Sequence, residues 1–300
     1  MACATGSRHE IAYVAETEFG VTPATPVFIP FRNTGTTLET SKTSLVSEEM
    51  RADRQITDFR GGNKQIGGDV SMELSATSFD DMLEAVLGGT WTTDILKTGT
   101  TKRSFTLERK FSDITRYIRY TGCVPSALSL SVQPDAMVTG SFSFVGKGQT
   151  AAQTIVTGAT YDTATTTSPF DSFSGTISEG GSPIAIVTGI DLSLDNGAEA
   201  SFVIGSDTTP CITLDRSNLT GTLTAQFEDE VLLNKFIDET ESSLEFTLTD
   251  GTNSQTWLLP RIKYTGGSVP VSGGGLITVS LPFQAIMDAT SETQIQITRA

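Results

Sequence analysis

Three hundred residues, 37% of them hydrophobic, are enough to bury one large core or two medium ones. A net charge of −15 excludes a protein that coats nucleic acid, because binding phosphates needs a surplus of Lys and Arg. No apolar run approaches the ~18–20 residues of a membrane helix, and three widely spaced cysteines (Cys3, Cys123, Cys211) read as free thiols made in a reducing compartment.

Residues 1–30 show no charged-then-apolar leader, so no secretory signal is expected. Pro23, Pro26 and Pro30 fix φ and disfavour helix, which predicts an extended N-terminal arm. Residues 31–147 alternate apolar and polar side chains in short runs, as in "DVSMELS" and "SALSLSV", the period-two pattern of strands. One helix interrupts them. In "SFDDMLEAVLGG", Ser78 as N-cap with Asp81 makes a capping box, Phe79, Met82, Leu83, Val86 and Leu87 form one apolar face, and Gly88 closes the helix. Residues 148–183, rich in Thr, Ser, Gly and Ala, read as a linker or surface excursion.

Residues 184–300 then repeat residues 31–147. "TGTTLET" (34–40) pairs with "TGIDLSL" (188–194), "GDVSMELS" (68–75) with "GTLTAQFE" (221–228), and "SFTL" (104–107) with "EFTL" (245–248). "RYTG" (119–122) pairs with "KYTG" (263–266), and "MVTGSFSF" (137–144) with "LITVSLPF" (276–283). The spacing is nearly constant, and its drift is what loop insertions produce. The second copy has its own helix after Asp229, with Leu232, Leu233, Phe236 and Ile237 as the stripe. Charge divides unevenly: residues 31–147 hold 14 basic and 14 acidic side chains, residues 148–300 hold 5 and 18.

Catalytic constellations are missing from the sequence. The single histidine, His9, lies in the arm without an evident partner, so neither a serine triad nor a multi-His metal site can be assembled. Residues 140–148 depart from a phosphate loop in spacing and in lacking the Ser or Thr that binds magnesium, and read as a strand end. Asp195-Asn196-Gly197 reads as a hairpin turn rather than part of a calcium loop. No catalytic residue, cofactor or metal is expected. The residues leave two classes open: a self-assembling structural subunit, or a double β-domain adhesin or decoration protein that binds a surface ligand.

The chain resembles the tail tube (major tail) proteins of long, flexible-tailed bacteriophages. The resemblance lies in "ETEFGVTPATP" (16–26), "SEEMRADRQITDFRGGNKQIGGDVSMELS" (47–75), "SFDDMLEAVLGGTW" (78–91), "VTGSFSFVGKG" (138–148), "RSNLTGTLTAQFED" (216–229), "NKFIDETESSLEFTLTDG" (234–251) and "KYTGGSVPVSGGG" (263–275). It implies a mainly β fold of two tandem tube domains, each a β-sandwich or partial barrel with one flanking α-helix. Six such domains make a ring, and rings stack into the conduit for genome ejection. With two domains per chain, a homotrimeric ring of pseudo-sixfold symmetry is expected, with a plain homohexamer as the alternative. The resemblance also implies tape measure, terminator and tip proteins as partners, double-stranded DNA passing through the lumen without specific binding, no membrane, and a place in the virion tail after assembly in the host cytoplasm.

The family's inter-ring loop corresponds to residues 43–64. There Met50, Arg51, Asp53, Arg54, Ile56, Phe59, Arg60 and Lys64 are the expected inter-subunit contacts. Long loops inside compact domains usually have a job or are disordered, and disorder gives no reason to keep Leu45, Val46, Met50, Ile56 and Phe59. The counterpart in the second copy, residues 203–218, is shorter and less charged.

Overall fold

The computed structural model describes residues 3–172, 175–271 and 273–300. The described residues are mainly β, with two α-helices, Asp80–Leu87 and Val231–Ile237, one large mixed sheet of 19 strands and a small two-stranded sheet. Among the described strands only Thr160–Tyr161, beside Val27–Phe31, pairs in parallel.

The alternation seen in the sequence does what the pleat requires. Phe59–Glu73 buries Ile66, Val70 and Met72; Thr139–Gly146 buries Phe142 and Phe144; Thr278–Ala285 buries Val279, Leu281, Phe283 and Ala285. These side chains form one continuous core with the Asp80–Leu87 helix, whose Met82, Leu83, Val86 and Leu87 are buried as their spacing predicts.

The same order of strand neighbours occurs twice. Glu39–Val46 pairs with Phe59–Glu73, then come Thr139–Gly146, Arg116–Val132, Phe105–Phe111 and His9–Ala15. Val187–Asp195 pairs with Asn218–Gln226, then come Thr278–Ala285, Ser254–Tyr264, Ser242–Thr249 and Thr176–Glu179. Registers agree rung by rung: Gly68 faces Phe144 as Gly221 faces Phe283, and Val70 faces Phe142 as Leu223 faces Leu281. One bulge recurs as well, between Phe105 and Leu107 in one hairpin and between Ser242 and Leu244 in the other.

Two of the five sequence pairings miss this register. Leu107 faces Tyr120 and Leu244 faces Leu259, so "SFTL" corresponds to residues 241–244 rather than 245–248. Pro125 faces Phe144 and Tyr264 faces Phe283, which puts "RYTG" and "KYTG" five places out of step. A period-two pattern interrupted by bulges lets short phrases match while occupying different rungs.

Two ladders join the halves. Residues 127–132 pair with residues 190–195, and Gln296–Arg299 lies between Ser254–Tyr264 and Ile95–Lys97. Arg299 staples the second ladder, pairing with Asp80 and with Asp94 (3.1 Å) and stacking over Trp91 at 4.4 Å.

Several local expectations change. The arm is extended but built into the sheet through His9–Ala15 and Val27–Phe31. His9 is half-buried against Phe111 and accepts a 3.0 Å hydrogen bond from Arg109 Nε. Burial, then the Arg109 charge, lowers its pKa. The Thr/Ser-rich stretch contributes Gly148–Ala152 beside Arg116–Val132, the fully buried Phe170, and Thr176–Glu179; Phe173 and Ser174 lie outside the described residues.

The first helix has Phe79, not Ser78, at its N-cap, and no side chain caps it. The Ser78 hydroxyl is instead held by Ser75 and Thr165, at 2.7 and 2.6 Å. Gly88 does close the helix, at φ 65°. In the second helix only Leu232 is buried and Ile237 is exposed, so the apolar stripe is narrower than its spacing predicts. Asn196 is not a hairpin tip. The Asp195 carboxylate accepts from the Gly197 amide, the chain turns away, and Asn196 donates to the helix carbonyl of Val86 at 2.7 Å.

Candidate assembly surfaces

Residues 43–64, expected as a loop, are in part ladder. Glu39–Val46 and Phe59–Glu73 form a hairpin paired out to Val46 and Phe59, and only residues 47–58 connect them. Glu39–Val46 buries no residue, so backbone hydrogen bonds to Phe59–Glu73 rather than side-chain burial hold this end of the hairpin. The apolar side chains do not fold back: Met50 is 100% exposed, Ile56 72%, Phe59 65% and Leu45 60%.

The charged residues of this arm order it locally. Arg51 pairs with Asp53 at 3.1 Å and Arg60 with Asp58 at 3.2 Å, and Arg54 takes a turn conformation at φ 60°. The Arg51 hydrogen bond holds the Asp53 carboxyl below its usual range. Lys64 stands apart from the others at the base. Its Nζ meets Asp207 Oδ2 at 2.7 Å and its amide donates to the Asp207 carbonyl, tying the arm to the second-half loop. Sequence reasoning missed Asp207, because nothing in the chain order brings it near Lys64. That second loop is built on the small hairpin Glu199–Ser201 with Cys211–Thr213, and Ile204 at its tip is fully exposed.

The other surface is the outward face of the sheet, opposite the core. Following the registers across the strands gives three rows. Glu73, Thr139, Ser131, Asp191, Thr222 and Pro282 share one; Ser71, Ser141, Ser129, Ser193, Thr220 and Gln284 the next; Asp69, Ser143, Ala127, Asp195 and Asn218 the third. A band of hydroxyls therefore runs between two rows that each carry two carboxylates; the band continues from Gln284 to Lys263, whose Nζ lies 3.6 Å from Glu241, and the two carboxylate rows hold no Lys or Arg over these strands. Ser129 and Ser141 share a 2.8 Å hydrogen bond and Ser131 donates to Asp191 at 2.6 Å, so the band is internally bonded.

Neither surface resembles a reaction centre. Among the described residues no cluster of His, Cys, Asp and Glu could hold a metal ion. Cys123 is buried, which pushes its thiol pKa up and disfavours the thiolate. Cys3 and Cys211 are exposed and free. Among the described residues no helix is long and apolar enough to cross a membrane.

The described residues thus present two surfaces without a reaction centre, a projecting hairpin with an exposed apolar tip and a polar outward sheet face. The family model for phage tail tube proteins matches residues 6–285, and the chain belongs to that family. It is a structural subunit of the virion tail and not an enzyme, and this assignment replaces the adhesin or decoration reading. Comparison with curated proteins gives no match.

Proposed function

We propose that each chain supplies two tube units in tandem and that three chains close a ring of true threefold and pseudo-sixfold symmetry. The observation that carries this reading is the twofold recurrence of strand order, register and one bulge. It also supports unit boundaries that differ from an arm, a linker and two cores. His9–Ala15 occupies in the first unit the place of Thr176–Glu179 in the second, each lying beside the corresponding hairpin strand. Gly148–Ala152 and Gln296–Arg299 likewise flank the same edge of corresponding strands.

Rings stack through the residue 43–64 arm, and the tube serves as the conduit for genome ejection, capped and measured by terminator, tip and tape measure proteins. A homohexamer of single chains would place twelve units in a ring, twice what the family's tube domain uses. Purified assemblies viewed end-on are expected to show three chains per ring by mass photometry and six lobes alternating in detail. Six chains per ring would remove the fused-pair reading and leave the tail tube assignment intact.

The hydroxyl and carboxylate rows face the bore in this arrangement. Three chains at −15 each put about −45 on a ring. DNA carries one negative charge per roughly 1.7 Å of axis, and screening acts over about 8 Å at physiological salt. Hydroxyls can donate to phosphates, but rows dominated by carboxylates supply little positive charge, so the duplex passes without tight binding. The potential along the bore is expected to be negative at the level of Asp69, Glu73, Asp191 and Asp195. A bore lined chiefly by Lys and Arg in an imaged tube would overturn this account.

A further inference from the structure

The two units differ at the end of the sheet remote from the arm. In the first unit Leu74 and Val138 follow the rung of Glu73 with Thr139, and the Leu74 amide donates to the Val138 carbonyl at 2.8 Å. A plug replaces the return bond. The Phe170 amide donates to the Leu74 carbonyl at 2.8 Å, and the Val138 amide donates to the Phe170 carbonyl at 2.9 Å. Ser75 bridges to Pro169 and Met137 to Asp171 on either side. Leu74, Val138 and Phe170 are all fully buried.

The second unit has the same opening without the plug. Phe227 and Ile277 follow the rung of Gln226 with Thr278, and the Phe227 amide donates to the Ile277 carbonyl at 3.0 Å. Among the described residues the Ile277 amide does not return the bond, and no residue takes the place of Phe170 in the hydrogen bonding. Phe227 keeps the phase of the buried Leu223 and Ala225, so its side chain belongs to the core face, yet it is 38% exposed. The same count sets Val231 in the place of Ser78. Thr165 and Thr167 hold the Ser78 hydroxyl, whereas Val231 is 55% exposed. One stretch, residues 165–171, therefore covers in the first unit what lies open in the second.

We infer that this gap in the second unit receives the arm tip, Met50, Ile56 and Phe59, of a second copy of this chain in the next ring. This deepens the stacking reading and rests on it.

Three observations select that occupant. Arm and gap lie at opposite ends: Phe59–Glu73 runs about 45 Å at ~3.3 Å per residue, and Asn218–Gln226 points the same way, four antiparallel ladders on. A knob and a gap at opposite ends make a heterologous contact that repeats without closing, as a stack requires. The numbers also match. Each chain has one long arm, because residues 203–218 are shorter, and one open gap, because Phe170 fills the other. Charge agrees as well. Glu228, Asp229 and Glu230 border the gap, all exposed, with no Lys or Arg in residues 217–234. Arg54, at the turn of the arm, makes no ion pair among the described residues, whereas Arg51 and Arg60 pair within the arm.

Two defective variants test the pairing by complementation. Ile56→Ser with Phe59→Ser removes the knob and keeps the gap. Val231→Glu keeps the knob and puts a carboxylate in the gap. Val231 is exposed and an acidic side chain suits the start of a helix, so circular dichroism and melting are expected to match the parent. Neither variant alone is expected to form tubes. Mixed, the intact arm of one enters the intact gap of the other once and no further, so mass photometry is expected to show a species of six chains in place of tubes.

Tubes from Val231→Glu alone would overturn the proposal and leave the arm as the stacking element. Tubes from the arm variant alone would overturn the stacking reading itself. A mixture that forms nothing larger than its parts would overturn the pairing of arm with gap. A limited species of twelve chains would keep that pairing and overturn the threefold ring.

Discussion

Replacing Ile56 and Phe59 with Ser is expected to give folded chains, unchanged in circular dichroism and melting within about 0.5 kcal/mol of the parent, that no longer polymerise into tubes. The prediction rests on where these side chains stand. They are 72% and 65% exposed, so Ser in their place opens no cavity in the core. The ladder beneath them is backbone to backbone, with Phe59 opposite Val46, and survives the change. What disappears is apolar area that a neighbour would bury. Each aromatic or branched side chain removed from water contributes about 1.5–3 kcal/mol, and a contact repeated in every chain of a ring multiplies that loss. The charged residues around the tip set register rather than affinity: Arg51–Asp53 and Arg60–Asp58 are exposed pairs, worth little each. Sedimentation and negative-stain images after purification check the outcome. Tubes of normal length from the double variant would show that the arm is not the stacking element.

The sequence made the fold legible wherever one face of a strand is buried. Val70, Met72, Phe142 and Phe144 alternate with polar neighbours, and the period survives because a one-residue slip would turn every one of them to solvent. The Asp80–Leu87 helix was legible for the same reason, since five of its residues enter one core. The Val231–Ile237 stripe was misleading at Ile237, where spacing says only that a side chain shares a face, not that anything lies against that face within the chain.

The phrases that look most alike, "RYTG" and "KYTG", proved less informative about register than the plainer "GDVSMELS" and "GTLTAQFE". Long strands cross from one ladder to the next through bulges, at Pro125–Ala127 in the first half, and each bulge resets the count. The candidate surfaces were legible in part. The exposed apolar tip could be read from composition alone, because a disordered segment would have no use for it. The Lys64–Asp207 tie and the carboxylate rows could not, because each is a product of pairing between strands distant in sequence.

The buried pair Glu108–Arg119 is where the largest loss of stability is expected. Glu108 sits opposite Arg119 across a ladder, and its side chain is 0% exposed against 11% for Arg119. Arg119 Nε donates to one carboxylate oxygen at 2.6 Å and the Tyr161 hydroxyl donates to the other at 2.5 Å. The same guanidinium reaches the Thr154 carbonyl through Nη2 at 2.6 Å. Both Thr154 and Tyr161 belong to the Thr/Ser-rich stretch, so one buried carboxylate and one arginine hold a segment of low apolar content against the sheet. Arg119→Met removes the cation and leaves the carboxylate in a dry site with a single donor. Breaking a buried pair from one side costs about 3–5 kcal/mol, and the expected result is a loss of that size by urea denaturation, with new protease cleavage between residues 148 and 162. The double variant Glu108→Gln, Arg119→Met removes the uncompensated charge and should recover a large part of the loss, because the amide still accepts from Tyr161. A double variant as unstable as Arg119→Met alone would mean that the arginine contributes through its bond to Thr154 and its packing on Tyr117, 5.6 Å from that ring, rather than through the charge of Glu108.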